Sequence, residues 1–198
     1  ILCADPTLLF DMDKLNNLLD DYIFISFLVG NDFLPQLLAF DLRNDGLTFL
    51  LEKYVELYVI YEQNLVNSKK KSINWNFVKT YFNELKNYEP DLLLKMSNKR
   101  KKFRFNRQHD NEYDKKIDLL NNYPILNQDC EKYIDIGTKN WKYRFYNKAL
   151  NVYDEDDLKQ CCLNYITGLK WTYEYYFKGC RCWKWKYNYR HCPSLMDI

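Results

Sequence analysis

Residues 20–37 read "DDYIFISFLVGNDFLPQL", and this stretch decides the fold class. An apolar run from Tyr22 to Val29 stops at Gly30-Asn31-Asp32, and Phe33, Leu34 and Pro35 resume it at once. Upstream, "DMDKLNNLLDDYIFISFLV" (11–29) spaces Leu15, Leu18, Leu19, Tyr22, Ile23, Phe27 and Leu28 by threes and fours. That spacing predicts a helix with Asp11 or Asp13 at its cap. Its last two turns are apolar all round, as in a helix buried on every side. Gly30-Asn31 ends it, because these residues tolerate the left-handed backbone that closes a helix. Asp32 then stands at a buried helix end, where a carboxylate is costly unless paired or neutralised by a cation. Two readings are open. Asp32 caps a following helix, or it holds a hard divalent ion such as Mg²⁺, which takes carboxylate oxygens.

Working outward, the same periodicity predicts a helix over 47–63, carrying Leu47, Leu50, Leu51, Tyr54, Val55 and Tyr58. "NWNFVKTYFNEL" (74–85) is amphipathic, with Trp75, Val78, Phe82 and Leu85 on one stripe. "NYPILNQDCE" (122–131) reads as a loop around Pro124, and "NWKYRFYNKAL" (140–150) as a helix. The clearest element is "DEDDLKQCCLNYITGLKWTYEYYFKG" (154–179). It opens on Asp154 with Asp157 three positions on, an acidic variant of the capping box. Gly179 lies where a C-terminal cap belongs. With five Gly and five Pro in 198 residues, few hairpin turns are signalled and helices dominate.

The net charge of +2 conceals an uneven distribution. Residues 99–107 ("KRKKFRFNR") and 178–190 ("KGCRCWKWKYNYR") are basic and aromatic, while acids gather at 11–21 and 154–157. The first basic run reads as a mobile, solvated element, and a near-neutral total can conceal a strongly positive face. In the second, Trp183 and Trp185 alternate with Lys184 and Lys186, and Arg190 follows. Both Trp are readable as core anchors under a loop. Seven unevenly spaced cysteines do not form a disulfide framework. They point to a reducing, intracellular compartment, and the cytoplasm is expected ahead of the nucleus. Zinc is not expected at Cys180, Cys182, His191 and Cys192, whose C-x-C then H-C spacing would strain adjacent ligands. No apolar run approaches the ~20 residues that span a bilayer, so no membrane partner is expected. Opening at Ile1 without Met, the chain reads as a piece of a longer one.

Three stretches, in order, carry a resemblance. "DDYIFISFLVGNDFLPQL" resembles the "FLVGNDFLPHLP" block of the Xrn-type 5′→3′ exoribonucleases. "WKYRFYNKAL" (141–150) is similar to that family's basic-aromatic element, and "YITGLKWTYEYYFKGCRCWKWKYNYRHCP" (165–193) to its Trp-rich second block. The resemblance implies a mainly α fragment of an α/β fold, the PIN-like 5′-3′ exonuclease fold. Residues 1–63 would be the end of the nuclease core, 64–153 a variable helical connector, and 154–198 the second block folded back on the first. It implies metal-dependent, processive hydrolysis of single-stranded, 5′-monophosphorylated RNA. Asp32 would be one ligand of two Mg²⁺ (or Mn²⁺) ions, with the other ligands upstream, so the fragment alone is expected to be inactive. Trp183 or Trp185 would stack on the 5′ base, Lys184, Lys186 and Arg190 would meet phosphates, and Asn31, Gln36 and His191 would support them. The implied partners are single-stranded RNA and the rest of the polypeptide. Gln36 and Arg190 stand where the family has histidines, and Leu38 and Asn188 where it has prolines. Those departures keep a second reading in view, a non-catalytic RNA-binding or scaffold protein that retains the fold.

Overall fold

A computed structural model of the chain describes residues 12–102 and 108–198. The apolar opening, Asp11 and the end of the first basic run lie outside these residues. Among them run nine α-helices: α1 (Met12–Phe27), α2 (Gly46–Tyr61), α3 (Trp75–Leu85), α4 (Glu89–Lys102), α5 (Glu112–Asn121), α6 (Tyr123–Leu126), α7 (Asp129–Ile134), α8 (Trp141–Phe145) and α9 (Glu155–Lys178). Strands β1 (Val66–Asn67) and β2 (Ser72–Ile73) form one short antiparallel pair, Val66 opposite Ile73. The architecture is mainly helical. None of the described helices is long and apolar enough to cross a membrane.

α1 buries one face and not every side of its last two turns, and Phe27 and Leu28 of the expected stripe lie on that face. Phe24, Ile25 and Leu28 are fully buried, whereas Leu15, Leu19, Tyr22 and Ile23 are exposed. Asp21 explains the difference, because it belongs to the buried stripe at i, i+3, i+4 and i+7 with those three residues. Its carboxylate accepts from the Tyr54 hydroxyl, from Asn64 Nδ2 at 2.8 Å and from the Val66 amide at 2.8 Å. Burial raises its pKa from the ordinary aspartate value. A charged letter inside the helix therefore marks the core, not the surface. The bonds to Asp21 fix α2 and β1 against α1.

α2 and α3 complete that core with Leu50, Tyr54, Leu57, Phe77, Val78, Tyr81 and Leu85, and Tyr165, Leu169 and Tyr173 of α9 join it. Asn74 caps α3, accepting from the Phe77 amide at 3.2 Å. The first basic run differs from the mobile element expected, at least over Lys99–Lys102, which form the last turn of α4. Cations suit a helix C-terminus, and Arg100 pairs with Glu131 at 3.1 Å and Lys101 with Asp135 at 2.5 Å. The stretch read as a loop around Pro124 holds α6 and α7 instead. Pro124 lies in the first turn of α6, where its missing N–H costs nothing. α8 runs on into a π turn (Tyr146–Leu150), which packs a second, smaller cluster with Ile134, Val152 and Cys161.

Asp154 caps α9, accepting from the Asp157 amide at 2.8 Å, while Asp157 accepts from the Tyr153 amide at 3.3 Å. Gly179 ends the helix at φ +87°. The chain then loops through 180–191 and returns to the core at 192–195, all buried. Glu89, at the head of α4 and 1% exposed, holds that return. It accepts from the Ser194 hydroxyl and from the Leu195 amide at 3.0 Å. Asp197 closes the clasp, accepting from Lys142 Nζ at 2.7 Å and the Tyr146 hydroxyl at 2.5 Å.

Candidate nucleic-acid interface

The Gly30-Asn31-Asp32 turn is built by Asn31. Its Oδ1 accepts from the Phe33 amide at 2.8 Å and the Leu34 amide at 2.9 Å, and its own amide donates to the Leu34 carbonyl at 3.0 Å. Gly30, at φ +93°, adopts the left-handed backbone that lets the chain leave α1. The Leu37 amide donates to the Leu28 carbonyl at 2.8 Å and closes the turn on the helix end, with half-buried Gln36 against Gly30. The turn buries Leu34, half-buries Phe33 and leaves Asp32 in solvent. This corrects the premise that Asp32 is buried: its apolar neighbours are, and the turn projects the carboxylate away from them. Among the described residues Asp32 has no hydrogen-bond or ion-pair partner. It caps no helix either, because the next cap, on the 3-10 turn Leu42–Asn44, is Asp41.

The turn docks on α9 beside the Trp-rich loop. A Cβ added at Gly168 would lie 2.5 Å from Leu34 Cδ2 and 2.8 Å from Trp185 Cη2, so both side chains converge on the space this glycine leaves. The Tyr165 hydroxyl donates to the Pro35 carbonyl at 3.4 Å. Rings continue the contact. Phe33 lies edge-on to Trp171 (centroids 4.9 Å) and to Tyr175 (4.8 Å). Trp171 stacks on Tyr175 at 5.4 Å and on Trp185 at 5.1 Å. Trp183 stands edge-on to Tyr175 at 6.4 Å and is otherwise open, 80% exposed. The structure thus brings the residue next to Asp32 into one aromatic assembly with both tryptophans.

The two tryptophans differ in kind. Trp185 is half-buried in the stack, whereas Trp183 offers free ring surface. Lys184, Lys186 and Arg190 are exposed and, among the described residues, unpaired. His191 lies against Phe145 of the second cluster, at 6.4 Å between ring centroids. Desolvation and the Arg190 charge hold its pKa below the ordinary imidazole value. Cys192 is fully buried with its thiol pKa pushed up, while Cys182 is exposed. Among the described residues no three His, Cys, Asp or Glu side chains stand together to hold a metal ion. Asp32 offers one free carboxylate, so these residues do not by themselves fit a two-ion centre.

Phe33, Trp171 and Tyr175 were not singled out from sequence. Trp171 and Tyr175 share a helix face at i, i+4, one turn beyond a glycine inside an otherwise good helix. That combination was the available signal.

The geometry defines a helical domain that gathers an exposed carboxylate, an aromatic stack and unpaired cations beside one helix. The chain belongs to the Xrn1 helical domain family, whose profile matches residues 11–132 and 111–198. Among its relatives, 5′-3′ exoribonuclease 1 of Schizosaccharomyces pombe is 33% identical over 44% of this chain. The 5′-3′ exoribonuclease 2 homolog of Drosophila melanogaster is 23% identical over 91% of this chain, and human 5′-3′ exoribonuclease 1 is 24% identical over 100% of this chain. The chain spans 7%, 24% and 13% of those three proteins.

Proposed function

We propose that this chain is the part of a 5′→3′ exoribonuclease that joins a metal-ligand carboxylate to a base-stacking wall. The observation that carries the reading is Phe33, which follows Asp32 directly and packs edge-on into the stack of Trp171, Tyr175 and Trp185. Asp32 supplies one oxygen ligand to Mg²⁺ or Mn²⁺, and the remaining ligands belong to the rest of the polypeptide, a PIN-like α/β core. That core covers the exposed apolar stripe of α1, at Leu15, Leu19, Tyr22 and Ile23. The substrate is single-stranded RNA with a 5′-monophosphate, degraded processively. Trp183 is the residue that stacks on a base, since Trp185 is engaged in the stack, and Lys184, Lys186 and Arg190 meet phosphates. A stacked base is worth about 1–3 kcal/mol whatever its identity.

The test uses the full-length protein. Asp32→Ala is expected to abolish Mg²⁺-dependent release of nucleotides from 5′-phosphorylated RNA while RNA binding persists. Unchanged release would remove Asp32 from the reaction. A wild-type protein that binds RNA without cutting it would instead support the scaffold reading raised by Gln36 and Arg190.

A further inference from the structure

One side chain touches the neighbours of both proposed functional residues. The edge-on contact of Trp171 is with Phe33, the residue after Asp32. Its indole Nε1–H donates to the carbonyl of Cys182, the residue before Trp183, at 3.0 Å. Tyr175 stacks against the ring at an interplanar angle of 14°, and Trp185 at 25°. An indole has only two side-chain torsions, and ring pairs of this kind stabilise beyond the area they bury. Two stacked neighbours, one edge-on ring and one directional hydrogen bond together restrict where this indole can lie. The turn bearing Asp32 and the loop bearing Trp183 therefore share a rigid common reference.

We propose that Trp171 is the positioning residue that sets the register between the stacked base and the bond that is cut. The proposal rests on the exoribonuclease reading above. Trp171 need not touch RNA for this. It holds the Cys182 carbonyl, and with it the start of the Trp183 loop, at a fixed offset from the Phe33 ring, and with it Asp32. Loosening that offset leaves the stacking surface and the carboxylate intact but misaligns them. Displacements of about 1 Å in a positioned substrate can cost on the order of 100-fold in rate.

The experiment is steady-state cleavage of a 5′-phosphorylated single-stranded RNA by full-length wild type and Trp171→Phe, with the released products resolved by length. Phenylalanine keeps an aromatic ring toward Phe33 but loses the hydrogen bond to Cys182 and the reach onto Trp185. The expected result is a fall in kcat of about 10- to 100-fold with KM within about twofold. A larger share of products longer than one nucleotide is expected alongside. Wild-type kcat and an unchanged product distribution in Trp171→Phe would overturn the proposal and leave Trp171 as packing only. A rise in KM with kcat unchanged would overturn it too, because that marks lost binding. Should Trp171→Phe fail to fold, Phe33→Leu cuts the same link from the turn side, and it must show the same kcat defect for the proposal to stand. A wild-type protein that releases no nucleotides refutes the exoribonuclease reading itself, which separates the two failures.

Discussion

Replacing Gly168 by alanine tests the point where the Asp32 turn and the Trp-rich loop meet. In the interior of a helix, Gly→Ala ordinarily stabilises by about 1 kcal/mol, because glycine gives up more backbone freedom on folding. At Gly168 the new Cβ would lie 2.5 Å from Leu34 Cδ2 and 2.8 Å from Trp185 Cη2. Carbon atoms pack at about 3.5–4.0 Å. Leu34 is 2% exposed, so its methyl has little free space to enter, and Trp185 moves only as a rigid ring held by Trp171. Overpacking of this kind costs about 1–3 kcal/mol. Set against the helix gain, the net expectation is a destabilisation of up to about 2 kcal/mol. Urea denaturation followed by tryptophan fluorescence reads it directly. With a slope of about 1–3 kcal/mol per molar urea, a loss of about 2 kcal/mol lowers the midpoint by about 0.7–2 M. A variant stabilised by about 1 kcal/mol, the unopposed helix gain, would refute the convergence of Leu34 and Trp185 on this helix.

Three further outcomes are expected. Asp32→Asn leaves the thermal midpoint within the range of an ordinary surface change, about 0.5 kcal/mol, because the carboxylate is exposed and unpaired among the described residues; a large drop in melting temperature would give Asp32 a structural role. Asp21→Asn costs about 1–3 kcal/mol in urea denaturation, since an amide turns a donor toward one of the groups that now donate to Asp21; a neutral result would contradict the buried three-bond arrangement. Burial raises the pKa of Glu89 above 4.5, so the folded state keeps a proton that the unfolded state has released. Stability contributed by Glu89 is thus fully present below the unfolded pKa and is lost as pH rises through the folded one. The stability difference between wild type and Glu89→Gln should shrink over that window, and parallel pH curves would contradict the buried clasp.

The helices were largely legible because their signals are local. Asp154 and Asp157 at the start of α9 and Gly30 at the end of α1 each act within four residues of themselves. What escaped was long-range. Asp21 and Glu89 look like solvated acids in sequence, and only partners 33 to 106 residues away make them core residues. For α1, apolar letters on several faces left the buried one undetermined, and the partner-seeking carboxylate chose it. Asp32 failed differently: a flanking apolar run says that the neighbours are buried, but the Asn31 turn decides which side chains point inward. Both blocks of the candidate site were visible as motifs. Their junction through Phe33, Trp171 and Gly168 was not, because ring contacts leave no spacing rule across more than a hundred residues.

The central claim is that a cleavage carboxylate and a stacking surface meet on one RNA 5′ end. It is tested most directly in the full-length Asp32→Ala protein, which should hold 5′-phosphorylated RNA without cutting it. An RNA with 2-aminopurine at its first nucleotide should lose fluorescence on binding, and adding Trp183→Ala should restore it with an affinity loss of about 5- to 150-fold, equivalent to 1–3 kcal/mol. Quenching that survives Trp183→Ala, with affinity unchanged, would contradict the account.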